Sequence, residues 1–132
     1  MYLLDTNICI YGIKKNPETV FKKLSKVKIE NVAISSITWH ELYYGVLKSS
    51  KAAQNLKALN NFISSIRILD FTKLDSEKLA AIRLDLEKQG RPIGTYDMQI
   101  AAHALNENLI LVTNNEREFS RVIGLKIENW VQ

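Results

Sequence analysis

Tyr2-Leu3-Leu4, Val32-Ala33-Ile34, Arg67-Ile68-Leu69 and Leu109-Ile110-Leu111-Val112 are short apolar runs separated by segments whose apolar residues recur every three to four positions. Runs this short do not make helices, but they suit strands buried on both faces. Strands of that kind alternating with helices predict an α/β domain with a mainly parallel sheet of four to five short strands and helices on both faces, in three α/β/α layers. Leu125-Lys126-Ile127 supplies the fifth strand. In such sheets ligands collect beyond the carboxyl ends of the strands, so polar residues just after the apolar runs are the first to consider.

The helices are marked by their ends as well as their periodicity. Asn16-Pro17-Glu18 places a proline at a first helical position, followed by the stripe Val20, Phe21, Leu24 and Val27. Ile37, Glu41, Tyr44 and Leu47 share one face of a helix reaching Lys48, and Leu56, Leu59, Phe62, Ile63 and Ile66 mark another over 51–65. Thr72 with Asp75 three residues later reads as a capping box for a helix that runs to Gln89, with Gly90 just beyond its end. Gly94-Thr95 opens a helix with Met98, Ala101, Ala102 and Leu105 on its apolar side, and 116–121 reads as a brief helical segment.

A length of 132 residues fits one domain spanning 1–132. No apolar run approaches the ~20 residues that cross a bilayer, so no membrane role is expected. Asp5 interrupts the first apolar run and no basic segment precedes it, so the start does not read as a secretory leader and a cytoplasmic protein is expected. The lone cysteine, Cys9, lies between Ile8 and Ile10 and reads as a buried thiol. The net charge is +4, and six lysines fall between Lys14 and Lys28 against Glu18 alone, which suits a polyanionic partner or a solvated helix face.

The carboxylates stand out against this frame. Asp5 closes the first strand, Glu41 lies early in the helix after the second, Asp97 sits in the first turn of the helix before the fourth, and Asn115 and Glu118 follow the fourth. A parallel sheet brings all five to one edge. Each also has a structural reading: Asp5 as the cap of a helix starting at Thr6, Glu41 in a capping box with Thr38, Asp97 on a helix dipole, Asn115 with Glu118 as a cap pair. Carboxylates within ~4 Å of one another repel by roughly 4 kcal/mol per pair at an effective dielectric of 20, so a true cluster calls for a cation or a proton. Oxygen donors favour magnesium or manganese, and His40 and His103 lack the paired spacing of a zinc site. Both histidines read as structural, and Tyr43 and Tyr44, beside Trp39, read as packing residues more than base-stacking ones.

Taken together, Leu3-Leu4-Asp5-Thr6-Asn7, the stretch from Ser36 through Thr38-Trp39-His40-Glu41-Leu42-Tyr43-Tyr44-Gly45, Asp97-Met98-Gln99-Ile100-Ala101-Ala102-His103-Ala104 and Val112-Thr113-Asn114-Asn115-Glu116-Arg117-Glu118-Phe119 resemble the PIN-domain family, and within it the VapC ribonuclease toxins of bacterial toxin–antitoxin pairs. The resemblance implies a magnesium- or manganese-dependent endoribonuclease that cuts a structured RNA such as tRNA, with Asp5, Glu41 and Asp97 as catalytic and metal-holding residues. It implies 5′-phosphate and 3′-hydroxyl products, a homodimer, and a cognate VapB-type antitoxin that can join it in a larger assembly. Asn115 departs from the pattern, because many relatives carry aspartate there; whether Asn115 or Glu118 completes the site, and whether it holds one metal or two, stays open. Thr6, Asn7 and Thr113 are expected to orient the ligands or phosphate, and the lysines of 14–28 with Arg91 to attract RNA.

Two rivals are weighed against this reading. A phosphoryl-transfer enzyme of haloacid-dehalogenase type also starts with a strand and an aspartate, but wants a second acid where this chain has Asn7. The other is a PIN-like domain that binds RNA or a partner without cutting.

Overall fold

The computed structural model describes residues 1–132. In chain order the elements are β1 (Tyr2–Leu4), α1 (Thr6–Lys14), α2 (Glu18–Lys26), a 3-10 turn (Ile29–Asn31), β2 (Val32–Ser35), α3 (Ser36–Lys48), α4 (Ala52–Ile63), β3 (Arg67–Leu69), α5 (Lys73–Gln89), α6 (Thr95–Asn106), β4 (Ile110–Val112), α7 (Glu116–Phe119) and β5 (Lys126–Glu128). The strands form one sheet in the order β3-β2-β1-β4-β5, and every neighbouring pair is parallel. The chain builds outward from β1 through β2 to β3, then crosses to the other side of β1 for β4 and β5. The strand order therefore reverses between β1 and β4, where open α/β sheets form their ligand crevice.

Alternation along each strand divides the core between the two faces of the sheet. Leu3, Ala33 and Leu111 join Ile82, Leu86, Ile100 and Ala101 under α5 and α6. Leu4, Val32, Ile34 and Val112 join Ile8, Cys9, Val20, Leu42, Val46 and Leu59 under α1 to α4. Both layers rest on close approaches by small residues. Ala101, Ala102 and Ala104 of α6 are fully buried. A Cβ at Gly12 would lie 2.8 Å from the Phe62 ring and 3.0 Å from a Leu24 methyl, so the bare backbone lets α1 rest on α2 and α4.

The termini of the elements follow local chemistry. Thr72 and Asp75 form the expected capping box, and Gly90 ends α5 in the left-handed conformation (φ 66°) that glycine adopts without penalty. Several sequence expectations shift. β1 stops at Leu4, one residue short of Asp5, and Asp5 is the N-cap of α1, which agrees with its reading as the cap of a helix starting at Thr6. Pro17 occupies the N-cap of α2, one position before the helical residue expected. α3 is capped by Ser35, which leaves Thr38 and Glu41 inside the helix and rules out a capping box between them. Asn115 occupies the N-cap position of α7 but makes no side-chain cap bond.

Candidate functional site

Four carboxylates converge where the strand order reverses. Asp5 leaves the end of β1, and Glu118 lies on α7 just after β4. Glu41 comes from the second turn of α3, and Asp97 from the first turn of α6. Three of the four are held by hydrogen bonds. Asp5 is 5% exposed; its Oδ1 accepts the Ile8 N–H at 2.9 Å, and the Thr113 hydroxyl also donates to it. The Thr6 hydroxyl donates to Glu41 Oε1 at 2.6 Å, while the Asn115 amide Nδ2 donates to Glu118 Oε2 at 2.8 Å. Thr113 Oγ1 in turn accepts the Asn115 N–H at 2.9 Å, tying the end of β4 to the start of α7.

The electrostatics of this group are those of a cluster without its counter-ion. Asp97 is pushed up to about 6, first by burial and then by the charges of Asp5, Glu118 and Glu41. Its place in the first turn of α6, where a carboxylate is ordinarily favoured, does not offset that repulsion. Burial also raises Asp5, with Glu41 adding to the rise, while Thr113 and the Ile8 and Asn7 N–H groups pull it back. No lysine or arginine pairs with any of the four; the ion pairs of the chain are Lys22–Glu18, Lys73–Glu77, Arg83–Glu87 and the His103–Asp75 contact. Oxygen-only donors, mutual repulsion and the absence of a neutralising side chain fit a hard divalent cation.

A pH dependence follows from Asp97. Its carboxyl titrates near 6 in the folded protein against an ordinary 3.8, so between those values the folded chain binds the extra proton. The stability conferred by that proton is fully present below the unfolded value and is lost as pH rises through 6. In chelator, the melting temperature of the wild type is therefore expected to fall relative to Asp97→Asn as pH is raised from about 4 to 7. Thermal melts of both proteins across that range check it, and a constant difference contradicts it.

The remaining singled-out residues sort clearly. All six lysines of 14–28 are exposed, as is Arg91. Cys9 is fully buried, with its thiol pushed well above the ordinary range by burial and then by Asp5. Thr6 and Thr113 touch the carboxylates directly, whereas Asn7 is exposed and contributes its backbone N–H to Asp5.

The capping box read from the sequence is one end of a larger polar network. Asp75 is fully buried; its Oδ2 accepts the Thr72 N–H at 2.7 Å and the Thr72 hydroxyl at 3.1 Å, and its Oδ1 accepts Asn106 Nδ2 at 2.8 Å. His103, also fully buried, sits beside it with Nε2 3.6 Å from Asp75 Oδ2, too long for a hydrogen bond. Ser35 Oγ accepts the Ile37 N–H, so its hydroxyl proton is free to donate to His103 Nδ1 at 2.8 Å. That leaves the imidazole proton on Nε2, facing Asp75. Burial lowers His103 below its ordinary value and keeps the ring neutral. Asp75, His103 and Glu107 are close enough to hold an ion; the Asp75 carboxylate already has three donors, while His103 Nε2 is buried without a partner.

Comparison with known proteins gives a consistent picture. The PIN-domain profile matches residues 2–125. The chain is 45% identical to ribonuclease VapC2 of Rickettsia felis over 131 residues, covering 98% of each chain. It is 43% identical to the tRNA(fMet)-specific endonuclease VapC of Shigella flexneri, covering 98% of this chain and 97% of that one. Among solved structures, VapBC of Salmonella typhimurium bound to DNA superposes with a TM-score of 0.92 at 41% identity, covering 98% of this chain and 97% of that one.

Proposed function

The chain belongs to the PIN-domain family, and from that premise we propose that it is the endoribonuclease toxin of a toxin–antitoxin pair, with Asp5, Glu41, Asp97 and Glu118 holding a magnesium or manganese ion. The observation that carries the reading is the convergence of four carboxylates at the ends of β1 and β4 with no lysine or arginine paired to any of them, a crowding that adds to burial in raising the Asp97 carboxyl. When bound, the cation supplies stabilisation of charge on the phosphate and a lowered pKa for water. The protein's own groups set the geometry. Thr6 fixes Glu41, Thr113 and the N-terminus of α1 fix Asp5, and the Asn115 amide fixes Glu118. Glu118 is the fourth corner in this reading, and Asn115 serves it as a hydrogen-bond donor.

The lysines of α1, α2 and the turn after them offset the acidic cluster, so that an RNA backbone is drawn to the protein. A groove of about 300 Å³ lined by Ile10, Ile13, Leu42, Val46 and Leu59 includes Glu41 and Lys14 in its wall. Apolar side chains of a VapB-type antitoxin suit such a groove, and a basic residue from the same segment, reaching the carboxylates, displaces the cation. We assign the working form as a homodimer on the same family premise.

Incubation of the antitoxin-free protein with pooled cellular RNA tests the function. Discrete cleavage in manganese, none in chelator, and 5′-phosphate ends at the cuts are expected. RNA binding without metal-dependent cleavage by a folded protein sinks the nuclease reading in favour of a non-cutting RNA-binding domain.

A further inference from the structure

The exposed aromatic residues beside the carboxylates are not used by the metal chemistry. His40 immediately precedes Glu41 on α3, and Tyr96 immediately precedes Asp97 on α6. These two side chains meet across the helices: Tyr96 Oη lies 3.3 Å from His40 Nε2, with ring centroids 5.6 Å apart. One turn further along α3, the Tyr44 ring lies 6.5 Å from His40 and within 23° of parallel to it. A further turn on, Lys48 Nζ stands 5.9 Å from the centre of the Tyr44 ring. Residues 40, 44 and 48 thus make an i, i+4, i+8 stripe about 12 Å long, bounded by the acidic cluster at one end and a free ammonium at the other.

The stripe is open to solvent: Tyr44 is 58% and Tyr96 44% exposed, and His40 is exposed too. Sequence reasoning took Tyr44 for a packing residue together with Tyr43. The two differ in neighbour and degree of exposure: Tyr43 packs on Trp39 with centroids 5.8 Å apart and is 39% exposed, while Tyr44 turns its ring toward His40 and is 58% exposed. Solvent-exposed aromatic faces with polar tips, followed by a cation, match the chemistry that receives unpaired nucleotides: bases stack on the rings and the ammonium meets a phosphate. Each ring of the stripe carries a polar tip and Lys48 adds a cation beyond them; Leu47, three residues after Tyr44 on α3 and 65% exposed, makes a contact between two copies the alternative that the test below separates.

We infer that Tyr96, His40 and Tyr44 form a stacking platform for unpaired bases of the RNA substrate next to the bond to be cut, with Lys48 taking a neighbouring phosphate. The inference rests on the ribonuclease reading and adds to it where the substrate is gripped. Its sequence preference is loose, because every base offers a π face, so the platform selects for unpaired structure at the cut site more than for base identity.

The test uses the full chain carrying Asp97→Asn, so that the probe is not cut, and a short single-stranded RNA bearing 2-aminopurine. Fluorescence quenching on binding reports stacking. Adding Tyr96→Leu or Tyr44→Leu is expected to relieve the quenching and weaken binding about tenfold, within the range for loss of one stacked base. Tyr96→Phe, which keeps the ring, retains the quenching, and Tyr43→Leu serves as the aromatic control outside the stack. In the otherwise wild-type chain, Tyr96→Leu is expected to raise KM for RNA cleavage about tenfold with a smaller change in kcat. Unchanged quenching and KM in Tyr96→Leu and Tyr44→Leu overturn the platform while leaving the nuclease standing. Conversion of a dimer to a monomer by Tyr44→Leu, with RNA affinity unchanged, overturns it in favour of a contact between two copies. Absence of both RNA binding and metal-dependent cleavage in the parent proteins overturns the nuclease reading and the platform together.

Discussion

Asp97→Asn is expected to reduce metal-dependent RNA cleavage by at least about 100-fold while the fold is kept. Groups that merely orient a metal ligand cost 10–100-fold in affinity or activity when removed, so a residue touching the ion should cost no less. Asparagine keeps the shape of the side chain and one oxygen but removes a negative charge from a group of four. Without metal, that removal relieves both the burial of a charge and the repulsion that together lift Asp97 to about 6, so the variant should melt at a higher temperature than the wild type at pH 7.5. With saturating metal the order should reverse, because the wild type gains more from binding. Rates on pooled RNA, with circular dichroism and melts in chelator and in manganese, separate the three effects. A variant that cuts at the wild-type rate contradicts the proposed role of Asp97.

Asp75→Ala is expected to destabilise the fold by about 3 kcal/mol. The substitution leaves the Thr72 N–H and hydroxyl and Asn106 Nδ2, in part-buried bonds, without their acceptor, takes the carboxylate away from beside the fully buried His103, and dismantles the capping box of α5. For a chain of this size such a loss lowers the melting temperature by about 10 °C. Asp75→Asn keeps one acceptor oxygen and should lose less. Denaturant unfolding measures the difference, and because the network lies apart from the carboxylate cluster, the folded fraction of Asp75→Ala should still cut RNA. A loss below about 1 kcal/mol contradicts the account of this network.

These two predictions draw on features that the sequence revealed to very different degrees. The α/β alternation, the capping box of Thr72 and Asp75, the stop at Gly90 and the gathering of acids at the strand ends are all written in short-range patterns. That Asp5 both caps α1 and sits among the other carboxylates is not. A strand-ending aspartate before Thr6 reads equally as a helix cap and as a metal ligand, and the structure makes it the cap of α1 while placing it among the other carboxylates. Glu118 could be separated from Asn115 only once the direction of their hydrogen bond was visible, with the amide nitrogen donating to the carboxylate. The Ser35–His103 and Asp75–Asn106 bonds join residues 68 and 31 positions apart, and no local periodicity signals such pairs. The same holds for Tyr96 and His40, which are 56 positions apart and adjacent only because α6 packs beside α3.

Titration of manganese into the antitoxin-free protein at pH 7.5, followed by calorimetry or electron paramagnetic resonance, addresses the central claim most directly. Saturable binding is predicted for the wild type, with marked weakening in each of Asp5→Asn, Glu41→Gln, Asp97→Asn and Glu118→Gln and the strongest loss in the first three. Manganese affinity unchanged in Asp97→Asn, or no saturable binding by the folded wild type, would contradict a metal site at the ends of β1 and β4.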